Sequence, residues 1–139
     1  MKTKHVLRAL FLLIYLLFLL HVGAETFYWY WTFPWFDLLT HFLGGVCVGL
    51  GTLWFFFMSG YIRQHQHQHL WSGRSGLLYT LVGIGVIGVG WELYEVFVHL
   101  ALHTPFDRGY LLDTAGDLTM DTLGALVSYL CFAWRAKRK

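Results

Sequence analysis

Six of the chain's eight acidic residues fall at helical spacing inside apolar runs, and two histidines join them. In "FDLLTH" Asp37 stands four residues before His41; in "GWELYEVFVH" Glu92, Glu95 and His99 are three and four apart; in "LLDTAGDLTMDTLGAL" Asp113, Asp117 and Asp121 recur every fourth residue. At roughly 100° per residue, each set occupies one narrow helix face. Carboxylate oxygens and imidazole nitrogens so arranged suit a divalent cation: Mg²⁺, Mn²⁺ or Ca²⁺ for an all-oxygen set, Mn²⁺ or Zn²⁺ once histidine contributes. Asp37, His41, Glu95, His99, Asp113, Asp117 and Asp121 are therefore candidate metal ligands. Glu92 is the candidate catalytic base, taking a proton while the metal polarises a phosphoryl oxygen. The same residues support two other chemistries. One is a proton or ion pathway through protonatable Glu92 and Glu95, and the other is a hydrogen-bonded network that only locks helices together.

The elements carrying these residues are membrane helices. The chain has 139 residues, is 57% hydrophobic and only 13% charged, and has a mean hydropathy of +0.52; soluble domains carry about 25% charge. Four apolar segments, residues 6–24, 37–60, 76–102 and 113–134, each approach or exceed the roughly 20 residues needed to span hydrocarbon. The expectation is an all-α, four-helix transmembrane bundle, one membrane domain over residues 1–139. With both termini inside, nine of the ten Lys and Arg residues are cytoplasmic and only Arg108 is external, a strong positive-inside asymmetry. The aromatic run "TFYWYWTFPWF", residues 26–36, fits the outer headgroup level. "MKTKHVLR", an apolar core and "VGA" before Glu25 also match a cleavable signal peptide, an alternative that leaves the other three orientations unchanged.

This topology places all three acidic stripes in the outer half of the membrane. Asp37 and Asp113 are shallow, His41 and Asp117 one turn deeper and Asp121 two; on the returning helix His99 is shallow, Glu95 deeper and Glu92 roughly 15 Å in. An ionised aspartate at the bilayer centre costs roughly 2.5–3.5 kcal/mol on insertion scales, so the stripes are expected to face one another around a pocket open to the outside. With no Lys or Arg at that depth, six carboxylates need protonation or a divalent cation.

The rest of the chain offers weaker chemistry. The net charge of +2 does not point to nucleic acid. Cys47 and Cys131 lack metal-binding spacing and read as small core hydrophobes. Gly45 and Gly49 form a GxxxG pair, and Gly83, Gly85, Gly88 and Gly90 crowd the next span; both read as close helix packing. In "RQHQHQHLW", residues 63–71, alternating His65, His67 and His69 could hold Zn²⁺ or Cu²⁺ if extended, but they lie across the membrane from the acids; a solvated loop is the plainer reading. "TPFDRGY", residues 104–110, reads as an outer turn. Serine, histidine and aspartate form no nucleophilic triad, and no phosphate loop is present.

"FDLLTHFLGG", "GWELYE" and "DTAGDLTMDTLGAL", in that order on successive helices, resemble the VanZ-like and YjdF-like bacterial membrane proteins. The resemblance covers about residues 28–130. It is closer on the YjdF-like side, because the third helix carries Glu-x-x-Glu rather than an acid followed by Gln and an Arg-bearing loop. It implies Asp37, His41, Glu92, Glu95, Asp113, Asp117 and Asp121 as the group's polar positions, Gly124 as a packing position, and a multi-pass protein of the bacterial cytoplasmic membrane. The triple-aspartate spacing is also similar to that of CDP-alcohol phosphotransferases, without their Ala-Arg pair, which shows only that such spacing can hold metals in a membrane. Function is left among three readings: a metal site acting on an envelope lipid or lipid-linked substrate, a proton- or ion-coupled transporter or channel, and a structural network within a partner protein. Substrate, oligomeric state and metal identity stay open.

Overall fold

The computed structural model describes residues 3–59, 73–106 and 108–137; the His-Gln stretch at 63–71 and Asp107 lie outside the described residues. Among the described residues five helices follow in order: α1 Thr3–Phe27, the single turn α2 Trp29–Thr32, α3 Pro34–Phe57, α4 Arg74–Ala101 and α5 Tyr110–Lys137. No strand occurs among the described residues. The long helices match the four apolar segments to within three residues at each end, with α3 stopping at Phe57, short of residue 60, and α4 at Ala101, short of residue 102.

The breaks have local causes. Tyr28 adopts a left-handed backbone, φ 59°, which stops α1 and starts α2. Phe33 is extended, as the residue before a proline tends to be, and Pro34 opens α3 where a missing N–H costs nothing. At the end of α4, His103 takes φ 54°. The Thr104 N–H then donates back to the His99 carbonyl at 3.0 Å and the His103 N–H to Leu100 at 3.3 Å, a Schellman closure.

Three helices, α1, α3 and α4, are long and apolar enough to cross a membrane. α5, at 28 residues, is as long as α4 but carries Asp113, Asp117 and Asp121. Asp117 and Asp121 are housed by packing, while Asp113 is exposed: α3 is central, with α1, α4 and α5 all against it, and α4 also packs on α5. Large apolar side chains such as Phe11, Leu12, Phe18, Val86 and Phe97 point outward, as lipid contact requires.

Two ends of the bundle differ in character. At one end Val6, Leu10, Leu53, Phe57, Met58 and Phe132 form an apolar core, with Phe56 stacked on Tyr79. Between that core and the acidic end, α3 and α5 approach backbone to backbone. A Cβ on Gly45 would collide with the Asp121 carbonyl, and one on Gly124 with the Phe42 carbonyl. Ser128 Oγ donates to the Val46 carbonyl at 2.7 Å, fixing the register. The GxxxG pair thus packs within the chain. Of Gly83, Gly85, Gly88 and Gly90 on α4, Gly83 and Gly88 are contact positions; Gly85 and Gly90 face open space. Cys47 is half-buried, whereas Cys131 is exposed on the outward face of α5 rather than in the core.

Candidate functional site

The inward face of α3 reads Asp37, His41, Gly45, Gly49 at intervals of four. The two polar residues lie in the first turns and the two glycines bring α5 close behind them. On α5, Asp117 and Asp121 occupy the matching buried face. On α4 the buried stripe runs Gly76, Thr80, Ile84, Gly88, Glu92, so the glutamate continues a packed line.

His41 is the hub. Its Nε2 lies 3.8 Å from Asp37 Oδ1 and 4.0 Å from Asp117 Oδ1, and its Nδ1 lies 3.5 Å from Asp121 Oδ1. Asp37, His41 and Asp117 can each offer one ligand atom with all three within 4.8 Å of one another. Metal–ligand bonds of roughly 2.1 Å place neighbouring ligand atoms roughly 3–3.5 Å apart, so small side-chain rotations close this set on one ion. Asp121 serves the other imidazole nitrogen, the arrangement by which a carboxylate orients a metal-binding histidine. Its own carboxylate sits in a slot: a Cβ on Gly88 would come within 2.9 Å of Oδ2, and one on Gly44 within 3.8 Å of Oδ1.

Two buried acids are poorly supplied with hydrogen bonds. Asp117 is 2% exposed and its Oδ1 accepts no hydrogen bond. Glu92 is 7% exposed, with the Thr114 side chain beside it as a marginal hydrogen-bond donor. Buried polar atoms are almost always satisfied, and an unpaired one costs about 1–3 kcal/mol, more when charged. The charges of His41, Asp121 and Asp113 all act on Glu92, and those of His41, Asp37, Asp113 and Glu92 on Asp117. Glu92 on α4 thus lies within electrostatic reach of His41 and Asp121, and of Asp117.

The remaining candidates stand around it. Glu95 is half-buried, lies within electrostatic reach of Glu92, His41 and Asp37, and its Oε1 accepts from the Trp91 indole at 2.9 Å. Asp113 is exposed in the first turn of α5. His99 Nδ1 is 2.8 Å from the Thr104 hydroxyl, and its ring lies against Phe106 and Tyr110. Glu95, His99 and Asp113 are not in the set compact enough to share one ion.

Several neighbours were missed in the sequence. Tyr110, whose hydroxyl is buried beside Thr114, and Thr114 itself precede Asp117 by seven and three residues, so the spacing that selected the aspartates could have selected them. Tyr30 has no such signal: a one-turn helix sets it beside His21, whose Nδ1 is 2.9 Å from its hydroxyl, and beside Thr40 and Asp37. Burial pushes the Tyr30 phenol above its ordinary range, against a smaller opposing effect of the Thr40 hydrogen bond, so it stays a donor at neutral pH.

A family model described as "Predicted membrane protein (DUF2238)" matches residues 2–138, nearly the whole chain, and this is the YjdF-like side of the resemblance; a VanZ-like relation is not shown. No curated protein and no solved structure matches the chain.

Proposed function

The chain belongs to the DUF2238 family of predicted membrane proteins, and from its acidic centre we propose that it binds a divalent cation at Asp37, His41 and Asp117. The cation would act on an envelope lipid or lipid-linked ligand at the outer side of the bacterial cytoplasmic membrane. In this reading α1, α3, α4 and α5 all span, with both termini inside, so the centre opens outward. Asp121 holds the His41 tautomer that leaves Nε2 free to bind. The cation offsets carboxylate charge and polarises an oxygen of the bound group.

One observation carries the reading: three ligand atoms from two helices converge, and Asp117, one of the three residues, has a buried Oδ1 with no hydrogen-bond donor. A purely structural network favours full satisfaction of its members. A transporter or channel needs polar groups through the other half of the bundle, where the described core is apolar and the buried hydroxyls of Thr80 and Ser128 are spent on backbone carbonyls. One nitrogen and two carboxylates favour Mn²⁺ or Zn²⁺ over Ca²⁺.

The test is thermal stability of the full chain in nanodiscs with Mn²⁺, Zn²⁺ or chelator. A cation that binds only the folded state raises Tm by mass action, and the gain shrinks on acidification as ligands are protonated. Asp117→Asn, which keeps shape but loses charge, abolishes the gain. A Tm indifferent to metal and chelator, together with stabilisation by Asp117→Asn, would show a charge-strained cluster and sink the metal reading.

A further inference from the structure

We propose that a groove between α3 and α5, at the end of the bundle away from the acids, holds an acyl chain of an anionic phospholipid whose phosphate rests on Arg135. The groove shares no residue with the acidic centre and stands whether or not a metal binds there. With both termini inside, the orientation proposed above, the lipid belongs to the inner leaflet.

The groove follows from helix spacing. Val127, Cys131 and Arg135 recur every fourth residue on one face of α5, and Val46 and Leu50 do so on α3. The two helices are drawn together at Gly45 and Gly49, where an added Cβ would meet the Asp121 and Ala125 backbones, and Val46 and Leu50 each follow one of these glycines. The side chains beside that close line flank a furrow of about 160 Å³, which the buried Phe132 also lines. Among the described residues its walls come from these two helices alone. Ser128 lines it as well but donates its hydroxyl proton to the Val46 carbonyl at 2.7 Å, so the walls are apolar up to Arg135.

Shape and charge select the occupant. Around the outward face of a membrane helix the solvent is hydrocarbon. A cavity of roughly 150 Å³ with apolar walls takes up a benzene-sized hydrocarbon, so this furrow takes a stretch of one acyl chain. A helix, roughly 10 Å across with its side chains, is too wide to enter. Along α5 the furrow runs from Val127 to Arg135, roughly 12 Å at 1.5 Å per residue. An apolar furrow that ends at a guanidinium repeats the order of parts in a phospholipid. Arg135 is exposed, and its five N–H donors form a fork that fits a phosphate, so an interaction within the chain still leaves donors for the lipid. The sequence beyond it adds Lys137, Arg138 and Lys139, and a basic cluster just past a span attracts anionic headgroups. A zwitterionic headgroup offers the same phosphate with its charge cancelled and binds less tightly.

The experiment uses the full chain in detergent micelles with a phosphatidylglycerol that carries a photoactivatable diazirine in one acyl chain. Labelled positions are mapped by mass spectrometry, and unlabelled phosphatidylglycerol and phosphatidylcholine compete. Label is expected within residues 46–50 and 127–135. Phosphatidylglycerol should compete better by roughly tenfold or more, the usual cost of losing a charged hydrogen-bonded contact. Arg135→Gln should bring the two competitors level while label stays in the furrow. Val127→Phe, at an exposed position, fills the furrow and should remove label from both helices with Arg135 intact. Asp117→Asn, at the acidic centre, should label like the parent even where its Mn²⁺ response is lost. If Arg135→Gln does not purify folded, Val127→Phe decides. Equal competition in the parent, label as dense over the outward faces of α1 and α4, or furrow variants that label like the parent overturn the proposal. So does cross-linking of two copies through residues 127–135 in place of lipid, which assigns the furrow to a second copy of the chain.

Discussion

At the scale of residues, Asp121 and Asp117 look alike in sequence and differ in task. Both are buried, four apart on α5, and both approach His41. Asp117 shares the Nε2 side with Asp37, while Asp121 meets Nδ1, where it can fix the ring but not share its free nitrogen with an ion. This distinction predicts different losses. Asp117→Asn should abolish the cation-dependent rise in Tm. Asp121→Asn should weaken Mn²⁺ affinity roughly 10–100-fold, the usual cost of losing a carboxylate behind a metal-bound histidine, and leave cation-free stability unchanged or higher. Equal Mn²⁺ affinities for Asp121→Asn and the parent, measured by titration, would remove Asp121 from the positioning role. The sequence could select both aspartates by their spacing, but only the ring orientation of His41 divides their work.

Among elements, the α3–α5 contact decides whether the site exists. Gly45 meets the Asp121 backbone and Gly124 meets the Phe42 backbone. Gly45→Ala therefore forces two main chains apart; overpacking of this kind costs roughly 1–3 kcal/mol. It should lower stability in chemical unfolding and weaken Mn²⁺ binding together. Gly85→Ala, where nothing lies within 4 Å, should be neutral or stabilising by less than about 1 kcal/mol. Finding the two substitutions equivalent would contradict the packing described. Helix identity and the acidic faces were readable because 3.6-residue periodicity and apolar runs are local signals. Which glycines make contacts was not, since Gly83, Gly85, Gly88 and Gly90 differ only in the neighbour each meets. The one-turn α2 was hidden in an aromatic run, because its start depends on a left-handed Tyr28 that no glycine or asparagine announces.

For the whole molecule, orientation follows from charge rather than packing. A cysteine at Thr104 should react with an impermeant thiol reagent from outside, and one at Ser75 only from inside, in a background where Cys47 and Cys131 are replaced. Labelling of both from one side would overturn the inside termini. The sequence suggested four spans, and three helices carry the apolarity for it unaided; α5 matches in length, its acids turned in part onto α3. The junction of Gly45, Asp121 and His41 also has a mechanical consequence. The backbone of Asp121 bears on α3 while its side chain faces the imidazole, so α3 and α5 cannot slide past each other without dragging the ring. The pair is the stator of the molecule. α4 presents a slimmer seam, with Gly88 against the Asp121 side chain rather than against main chain. At that seam the α4 glycines meet side chains, Thr52 at Gly83 and Leu118 and Asp121 at Gly88, and the same helix carries Glu92.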